Sequence, residues 1–417
     1  MALRIGINVL LIGLLGISTP VVRAGETPKP RPLILAHYMP WFEAKPVSKT
    51  WGWHWTIGHF DPERSDPEGR RQIASHYYPL IGPYDSADPD VLEYHTLLMK
   101  VAGIDGVVAD WYGSDDFNDY APIHRRTAAL FDSLKGRGLK FAVCYEDRVL
   151  KAMSERNKWT PAQAVEHGKI HLRLCEQNWF KEPAYVRVEG KPLLMVFGPD
   201  FLKTEQWEAV LKGMQQAPSF LTLHERRAPA IGSFAWPPMW ASKDGKLDAK
   251  DLDAYLDRFA RQDGLKVGCA FPGFHDIYKE AGAQPSHGYL DPRNGETFRH
   301  TLERALGSGS PIVQVATWND FGEGTCIEPT REYGYRYLEA IQDTRRRFSD
   351  EPFGYRAADL RLPLRIYQLR KTIARSSPGR KTLDEAVDHI FAAAAPLALK
   401  CIERLEGAAA QPPPRAK

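Results

Sequence analysis

Cysteine and net charge are both scarce in this sequence. The 417 residues carry a formal net charge of +3 and contain five cysteines, none close to another. So few cysteines exclude a disulfide framework, and the fold must be held together by its core. A nearly neutral chain of this length also excludes an extended surface for nucleic acid. No cysteine or histidine spacing matches a metal site, so we predict neither a metal nor another cofactor.

Long apolar runs are absent beyond the first residues. Arg4 precedes an apolar stretch at 5–17, and Val22-Arg23-Ala24 ends on a small residue. This pattern is typical of a secretory signal peptide and is too short to span a membrane. We therefore expect residues 1–24 to be removed. The mature protein is expected to be secreted or periplasmic, without a lipid anchor or a membrane span.

Short apolar runs alternate with helical patterns through most of the chain, which is 43% hydrophobic and 26% charged. Eight runs are typical of buried strands. They lie at 32–38, 104–113, 139–148, 192–197, 220–223, 230–236, 266–271 and 311–316. The alternation predicts an α/β fold, a single (β/α)8 TIM barrel. The fifth and sixth runs are too close together for a helix between them.

The domain boundaries follow from this pattern. We predict a signal peptide at 1–24, a catalytic barrel at 31–348 and a C-terminal helical extension with a tail at 349–417. The extension is expected to hold two helices, at 355–374 and 383–405. Within the barrel, a helix is predicted at 90–102, because Asp88 can cap it, Pro89 suits its first turn and Gly103 can end it.

The first loop of the predicted barrel, at about 39–87, is too long for a simple connector. It contains four tryptophans within fifteen residues, Trp41, Trp51, Trp53 and Trp55. Exposed aromatic rings at such density suit a surface that stacks on sugar rings. The alternative is that these rings, with Tyr38, pack over the mouth of the barrel.

Carboxylates follow several of the predicted strands, and parallel barrels carry their catalytic groups at that end. They are Asp110, Glu146, Asp320 and Glu323. A pair of carboxylates, one acting as an acid and the other as a base or nucleophile, is the usual apparatus of a glycosidase. Their proximity raises the pKa of one of them. An ion pair with Arg148 is an alternative role for Glu146.

Several motifs are similar to those of glycoside hydrolase family 99, the endo-α-mannosidases and endo-α-mannanases, and more loosely to the family 71/99-like group. The matching segments are 38–41, 77–86, 99–106, 111–113 and 318–329. The resemblance extends from about residue 33 to 345. It implies a barrel-shaped glycosidase that acts on an α-linked glycan.

The last of these motifs carries the catalytic assignment. The family usually has W-N-E-x-x-E-G-T where this chain has Trp318-Asn319-Asp320-Phe321-Gly322-Glu323-Gly324-Thr325. The resemblance implies that Glu323 is the acid/base and that Asp320 is the base. In the family, that base deprotonates the sugar 2-hydroxyl, giving a 1,2-anhydro intermediate and overall retention. Aspartate reaches roughly 1.5 Å less far than glutamate, so retention and inversion both stay open. The α-1,3-glucanases of family 71 also have an aspartate there.

We therefore predict an exported glycoside hydrolase of an α-linked polysaccharide or glycan, with α-mannan favoured. The alternatives are an α-1,3-glucanase-like hydrolase and a non-catalytic glycan-binding homologue. The partner is expected to be a glycan rather than nucleic acid, and the protein a monomer. The substrate-binding candidates are Tyr38, Trp41, Trp53, Trp55, Tyr84, Asp110, Tyr112, Glu146, Trp236, Trp318 and Asn319, with His54 and His275 as weaker ones. Glu328 is interpreted as a structural partner that orders its loop.

Overall fold

Eight parallel strands form the centre of the computed structural model, which describes residues 31–348 and 352–409. They are β1 Leu33–Tyr38, β2 Gly106–Trp111, β3 Lys140–Tyr145, β4 Lys191–Val196, β5 Ser219–Leu223, β6 Gly232–Phe234, β7 Leu265–Ala270 and β8 Ile312–Val315. Each pairs in parallel with its neighbours in chain order. The pairing of β8 with β1, which places Leu33 opposite Ile312, closes the ring. The predicted (β/α)8 barrel is confirmed.

Helices follow most of these strands and form the outer layer. In chain order they are α1 Trp53–Thr56, α2 Pro89–Ala102, α3 Tyr120–Leu134, α4 Arg148–Asn157, α5 Pro161–Asn178, α6 Thr204–Lys212, α7 Ala249–Ala260, α8 Glu296–Gly307, α9 Arg336–Phe348, α10 Leu362–Thr372, α11 Gly379–Phe391 and α12 Ala395–Ala409. The sequence patterns do not predict α1, α4 or α8.

Helix α2 illustrates how local sequence sets an element. The Asp88 side chain accepts a hydrogen bond from the Asp90 backbone N–H, and Pro89 occupies the first turn. Gly103 ends the helix in the left-handed conformation at φ 84°, which glycine adopts without a steric penalty. All three features agree with the sequence prediction.

The connection between β5 and β6 has no helix, as the sequence predicts. Eight residues, 224–231, return the chain from the end of β5 to the start of the parallel β6. This short return suffices because the two strands have only five and three residues. A strand residue advances by about 3.3 Å, so the loop can span their length.

The C-terminal extension packs on α2 of the barrel. The Arg370 guanidinium donates to both oxygens of Glu93 at 2.8 and 3.0 Å, and Lys371 Nζ lies 2.6 Å from Asp88 Oδ2. The second predicted helix, 383–405, is wrong as a single element. The chain leaves the helix after α11, where Ala393 has a φ of +56°, and then starts α12.

Two predictions concern parts of the chain outside the described residues, namely the signal peptide at 1–24 and the tail end at 410–417. In the described ranges, no helix combines the length and the apolar character needed to cross a membrane. All five cysteines are free thiols. The domain boundary at residue 348 stays a prediction.

Candidate active site

A cavity of about 420 Å³ lies at the carboxyl ends of the barrel strands. Its lining comes from the ends of seven of the eight strands or from the loops that follow them, with β5 as the exception. The lining residues are His37, Met39, Trp41, Asp110, Glu146, Arg148, Phe197, Trp236, Pro237, Met239, Trp240, Phe274, Tyr278, His287, Asp320 and Glu323. The cavity therefore brings together six of the predicted site residues: Trp41, Asp110, Glu146, Trp236, Asp320 and Glu323.

The turn after β8 holds the two predicted catalytic carboxylates. The Asp320 backbone N–H donates to Thr317 Oγ1 at 2.7 Å, and the Glu323 N–H donates to Asp320 Oδ1 at 3.0 Å. Both side chains are therefore oriented by one short segment. Because Oδ1 of Asp320 already accepts a backbone hydrogen bond, Oδ2 is the oxygen left for chemistry.

The loop after β7 braces this turn from the other side. The backbone N–H of His275 donates to Glu323 O at 2.9 Å, and that of Ile277 donates to Gly322 O at 3.0 Å. Gly324 has a φ of +67°, and a Cβ there would lie 2.7 Å from the carbonyl oxygen of His275. Glycine at 324 is thus required for this close approach.

The pKa values of Asp320 and Glu323 are higher than those of exposed carboxylates, because both groups are buried. Burial raises the pKa of Asp320 to about 6; the charge of Asp110 adds to this effect and the Glu323 N–H opposes it. Burial, followed by the charges of Asp320 and Asp276, raises the pKa of Glu323 well above its usual range. A neutral solution therefore favours a protonated Glu323 beside an ionised Asp320, which is the state that an acid and a base need.

Three buried polar atoms at the cavity have no hydrogen-bond partner among the described residues: Glu323 Oε2, Asp110 Oδ1 and His37 Nε2. The last two lie 4.0 Å apart, too far for a direct hydrogen bond. Buried polar groups are normally satisfied. These atoms therefore suit a polyhydroxylated ligand, whose hydroxyls can supply the missing bonds.

Glu146 lies at the tip of β3 and is paired with Arg148, as the alternative interpretation predicts. Arg148 Nη2 donates to Glu146 Oε1 at 3.1 Å, and its Nε also contacts the carboxylate. Burial and the charge of Asp110 nevertheless outweigh Arg148 and raise the pKa of Glu146 to about 8. Tyr112 borders an adjoining hollow that shares Glu146 and Arg148.

Aromatic rings form part of the wall. Trp41 stacks on His54 with the ring centroids 4.1 Å apart and the planes at 5°. His54 is in turn held by Asp119 Oδ2 at 3.2 Å from its Nε2. Trp236 meets the His37 ring edge-on at 4.8 Å. These two tryptophans are therefore rigid surfaces at the cavity.

Five of the predicted substrate-binding residues are buried away from the cavity, because their polar atoms or rings belong to the frame beneath it. Asn319 exchanges two hydrogen bonds with the Met39 backbone and donates to the Tyr84 hydroxyl at 3.0 Å. Tyr84 donates to Glu328 Oε2 at 2.7 Å. Tyr38 contacts His95 Nδ1 at 2.9 Å. These residues position the turn after β8 and offer no surface to a ligand.

The other two buried candidates are tryptophans. Trp55 donates to the Tyr84 carbonyl oxygen at 2.7 Å and packs on Phe42, and Trp318 packs edge-on against His95. Both are 0% exposed. Trp53 differs, because it is 53% exposed but lies outside the cavity lining. The weaker candidate His275 stacks on His76 at 3.6 Å, also outside the lining.

Several lining residues are absent from the sequence prediction. His37 lies at the end of β1, and Phe274, Tyr278 and His287 come from the loop after β7. Phe274 closely follows the predicted strand at 266–271, which is a signal that the sequence contains. His37 lies inside the predicted strand at 32–38, and Tyr278 and His287 lie further along their loop, so the sequence gives no such signal for them. Burial, followed by the charges of Glu323 and Asp320, raises the pKa of Tyr278, so its hydroxyl stays a neutral donor.

One cluster at this site has metal-binding atom types. Ligand atoms of His37, Asp110 and Cys144 all lie within 4.8 Å of one another. Burial raises the pKa of the Cys144 thiol well above its usual range. His37 and Asp110 belong to the polar wall of the cavity, and Cys144 is not among the lining residues. A second cluster, Asp115 with His167 and His171, lies outside the cavity lining.

Comparisons with known proteins agree with this geometry. The family model "Glycosyl hydrolase family 99" matches residues 32–219, and a domain of unknown function matches 239–360. A glycoprotein endo-alpha-1,2-mannosidase of Rattus norvegicus is 32% identical over 399 residues, covering 82% of this chain and 80% of the relative. An endo-alpha-1,2-mannosidase-like protein of Danio rerio is 25% identical, covering 69% of each chain.

A solved structure is similar in fold. The GH99 endo-alpha-mannosidase from Bacteroides thetaiotaomicron superimposes with a TM-score of 0.57 at 19% identity, over 76% of this chain and 97% of that one. The barrel and these similarities define a glycoside hydrolase. The chain belongs to glycosyl hydrolase family 99.

Proposed function

We propose that this glycoside hydrolase is exported and cleaves an α-linked glycan of the mannan type, with Glu323 as acid/base and Asp320 as base. The observation that carries the proposal is the turn after β8. It presents both carboxylates at one cavity and ties the backbone N–H of Glu323 to Oδ1 of Asp320 at 3.0 Å. The order of the pKa values of the two carboxylates supports the division of roles.

The reaction follows from these roles. Glu323 gives its proton to the glycosidic oxygen as the bond from that oxygen to the anomeric carbon breaks. Ionised Asp320 takes a proton from the attacking hydroxyl, which is either a water molecule or the 2-hydroxyl of the same sugar. In the second case, Glu323 then removes a proton from the water that opens the 1,2-anhydro ring, and Asp320 returns its proton to the 2-oxygen. Both carboxyl groups are thereby restored, and the configuration is retained.

The shorter side chain at 320 has a structural counterpart. Asp320 both caps the turn through Oδ1 and faces the cavity, so its carboxylate stays close to its own backbone. A glutamate there would project roughly 1.5 Å further. We infer that the reacting sugar sits correspondingly deeper in this cavity than it would beside a glutamate.

The substrate class and the location rest on similarity and on sequence. Relatives named as endo-alpha-1,2-mannosidases support an α-mannose-containing glycan. The apolar stretch at 5–17 and the small residue Ala24 support export through a signal peptide. Export places the enzyme where extracellular polysaccharide is available.

The test is a cleavage assay on a panel of α-mannans, α-1,3-glucans and other α-glycans, comparing the natural protein with Glu323→Gln. We expect reducing ends to appear from mannan with the natural protein. The variant should lose about 10²–10⁴-fold in rate, the usual contribution of a general acid. Product anomers followed by NMR report retention or inversion.

Two outcomes would redirect the proposal. Preferential cleavage of α-1,3-glucan would replace the mannan assignment but keep the catalytic pair. Unchanged cleavage by Glu323→Gln would place the acid on another strand, with Glu146 as the next carboxylate to replace. The mature N-terminus of the exported protein, read by mass spectrometry, tests cleavage after Ala24.

A further inference from the structure

Three side chains with metal-ligating atoms converge beside the barrel, outside the catalytic cavity. Asp115 lies in the loop after β2, and His167 and His171 lie on α5. Nε2 of His167 is 2.9 Å from Asp115 Oδ1, and Nε2 of His171 is 2.5 Å from Asp115 Oδ2. All three ligand atoms lie within 4.8 Å of one another. The sequence contains the four-residue spacing of His167 and His171, but Asp115 is 52 residues from His167, so only the fold brings the third ligand to them.

The two histidines are arranged as a helix arranges metal ligands. They are four residues apart and so share one face of α5. Their ring centroids are 4.8 Å apart, with the planes at 77°. Both Nε2 atoms point at the same carboxylate, each toward a different oxygen. A tetrahedral metal with bonds of about 2.0–2.1 Å needs its ligand atoms about 3.3 Å apart. A small movement of the partly exposed His167 and Asp115 side chains provides that spacing.

The His171 ring is held in place by Tyr145 and by its close packing on Gly113. Its Nδ1 lies 2.8 Å from the Tyr145 hydroxyl, which can donate to this nitrogen or accept from it. A Cβ on Gly113 would lie 2.4 Å from the His171 ring, so only glycine leaves room for the imidazole. A second partner that orients the far nitrogen is the usual support of a metal-binding histidine.

The charge of Asp115 also favours a cation. Among the described residues, no lysine or arginine lies within ion-pair distance of its carboxylate, and its two ionic contacts are both to imidazoles. The Asp115 side chain is 22% exposed and that of His167 is 19% exposed, whereas that of His171 is 1% exposed. An ion can therefore enter from solvent and keep water as a fourth ligand.

We propose that Asp115, His167 and His171 bind one divalent cation of borderline softness, with Zn²⁺ as the representative. Two neutral imidazoles and one carboxylate form a ligand set that such ions take in proteins. The ion would replace the two hydrogen bonds to Asp115, and the Nδ1 proton of His171 would then point to the Tyr145 oxygen. The site ties the loop after β2, which follows the catalytic-cavity residue Asp110, to α5.

The test is isothermal titration of the full mature protein, purified without a histidine tag and stripped with chelator, against ZnCl₂. We expect one ion per chain and a rise in Tm on binding. His167→Gln and Asp115→Asn should each weaken binding at least tenfold, in line with loss of one of three ligands. Cobalt(II) should give visible absorption bands of a tetrahedral site in the natural protein and not in these variants.

His300→Gln is the matched control. His300 Nε2 lies 2.6 Å from Asp253 Oδ1 on the outer helices, and neither residue joins a three-ligand cluster in the part of the chain that the structure describes. This variant should bind zinc as the natural protein does. The proposal is overturned if the stripped protein takes up no zinc at 100-fold excess, or if binding survives both substitutions. The metal-free variants should keep the Tm of the metal-free natural protein within a few degrees, which distinguishes lost binding from lost folding.

Discussion

Two glutamates five residues apart on the loop after β8 differ in their burial and in their hydrogen bonding. Glu328 is buried below the cavity, where its Oε2 accepts the Tyr84 hydroxyl at 2.7 Å and its Oε1 lies 3.2 Å from His95 Nε2. Glu323 is half-buried at the cavity, and its buried Oε2 has no hydrogen-bond partner within the described ranges. The same side chain is thus part of the frame at one position and available to a ligand at the other.

The difference shows that one loop carries both residues that hold it in place and residues that can react with a substrate. Tyr84 accepts from Asn319 and donates to Glu328, so one hydroxyl fixes both ends of the segment that carries Asp320 and Glu323. Within the frame, Tyr84 is hydrogen-bonded to both Asn319 and Glu328, and Glu328 Oε1 faces His95 Nε2 at 3.2 Å without forming a hydrogen bond. Glu323 instead lines the cavity, where a substrate can supply the partner that its Oε2 lacks.

The strongest test of this difference between Glu323 and Glu328 is to replace each glutamate by glutamine in turn. Glu323→Gln should reduce the cleavage rate by about 10²–10⁴-fold and leave the free energy of unfolding unchanged or higher. Glu328→Gln should lower the free energy of unfolding by roughly 1–3 kcal/mol, because the His95 nitrogen loses a charged neighbour in a buried site. Its rate constant should stay within about tenfold of the natural value.

Urea unfolding and initial rates on the same preparations provide the two measurements. Because the variants differ only in which glutamate is replaced, each serves as the control for the other. The comparison fails if Glu328→Gln loses as much activity as Glu323→Gln while staying fully folded.

Much of this arrangement can be read from the sequence, and the reasons are local. The strands can be predicted from short apolar runs, and the ends of α2 can be predicted from Asp88, Pro89 and Gly103. Asp320 and Glu323 follow directly from a predicted strand. Each of these inferences depends on residues that are close neighbours in the chain.

Long-range packing accounts for the rest. Asn319 forms two hydrogen bonds with the Met39 backbone, and Trp55 packs against Phe42. The residues that neighbour Asn319 and Trp55 in the chain do not indicate either contact. The sequence alone therefore predicts ligand binding for residues that the fold buries beneath the cavity. His37 and Tyr278 were missed for the converse reason, since their place at the cavity depends on how distant loops meet.

The second prediction uses pH to sharpen the contrast between cavity and frame. Asp320 must be ionised to act as a base, and its raised pKa of about 6 means that kcat/KM should fall tenfold per pH unit below pH 6. Loss of the Glu323 proton sets the alkaline limb. Asp110→Asn removes a charge that raises the pKa of Asp320, so the acid limb should move to lower pH.

Glu328→Gln is the control for this profile, because the proposed base keeps its surroundings in that variant. Its acid limb should stay near pH 6 although the protein is less stable. An acid limb near pH 4 in the natural enzyme would show that the titrating base is not a buried carboxylate at this cavity.

The smallest expected effect tests whether exposure at the cavity also marks a binding surface. Trp240 lines the cavity yet is 64% exposed, with His224 and Tyr255 edge-on behind it at 6.1 Å. A sugar ring stacked on it would bury roughly 20–60 Å² of its apolar face, which at about 25 cal/mol per Å² contributes roughly 0.5–1.5 kcal/mol. Trp240→Ala should therefore raise KM for mannan oligosaccharides about two- to tenfold and leave kcat within twofold.

Phe348→Ala, which removes a 53% exposed ring at the end of α9, should change neither constant. Equal KM values for the natural enzyme and Trp240→Ala would restrict ligand contacts to the buried part of the cavity.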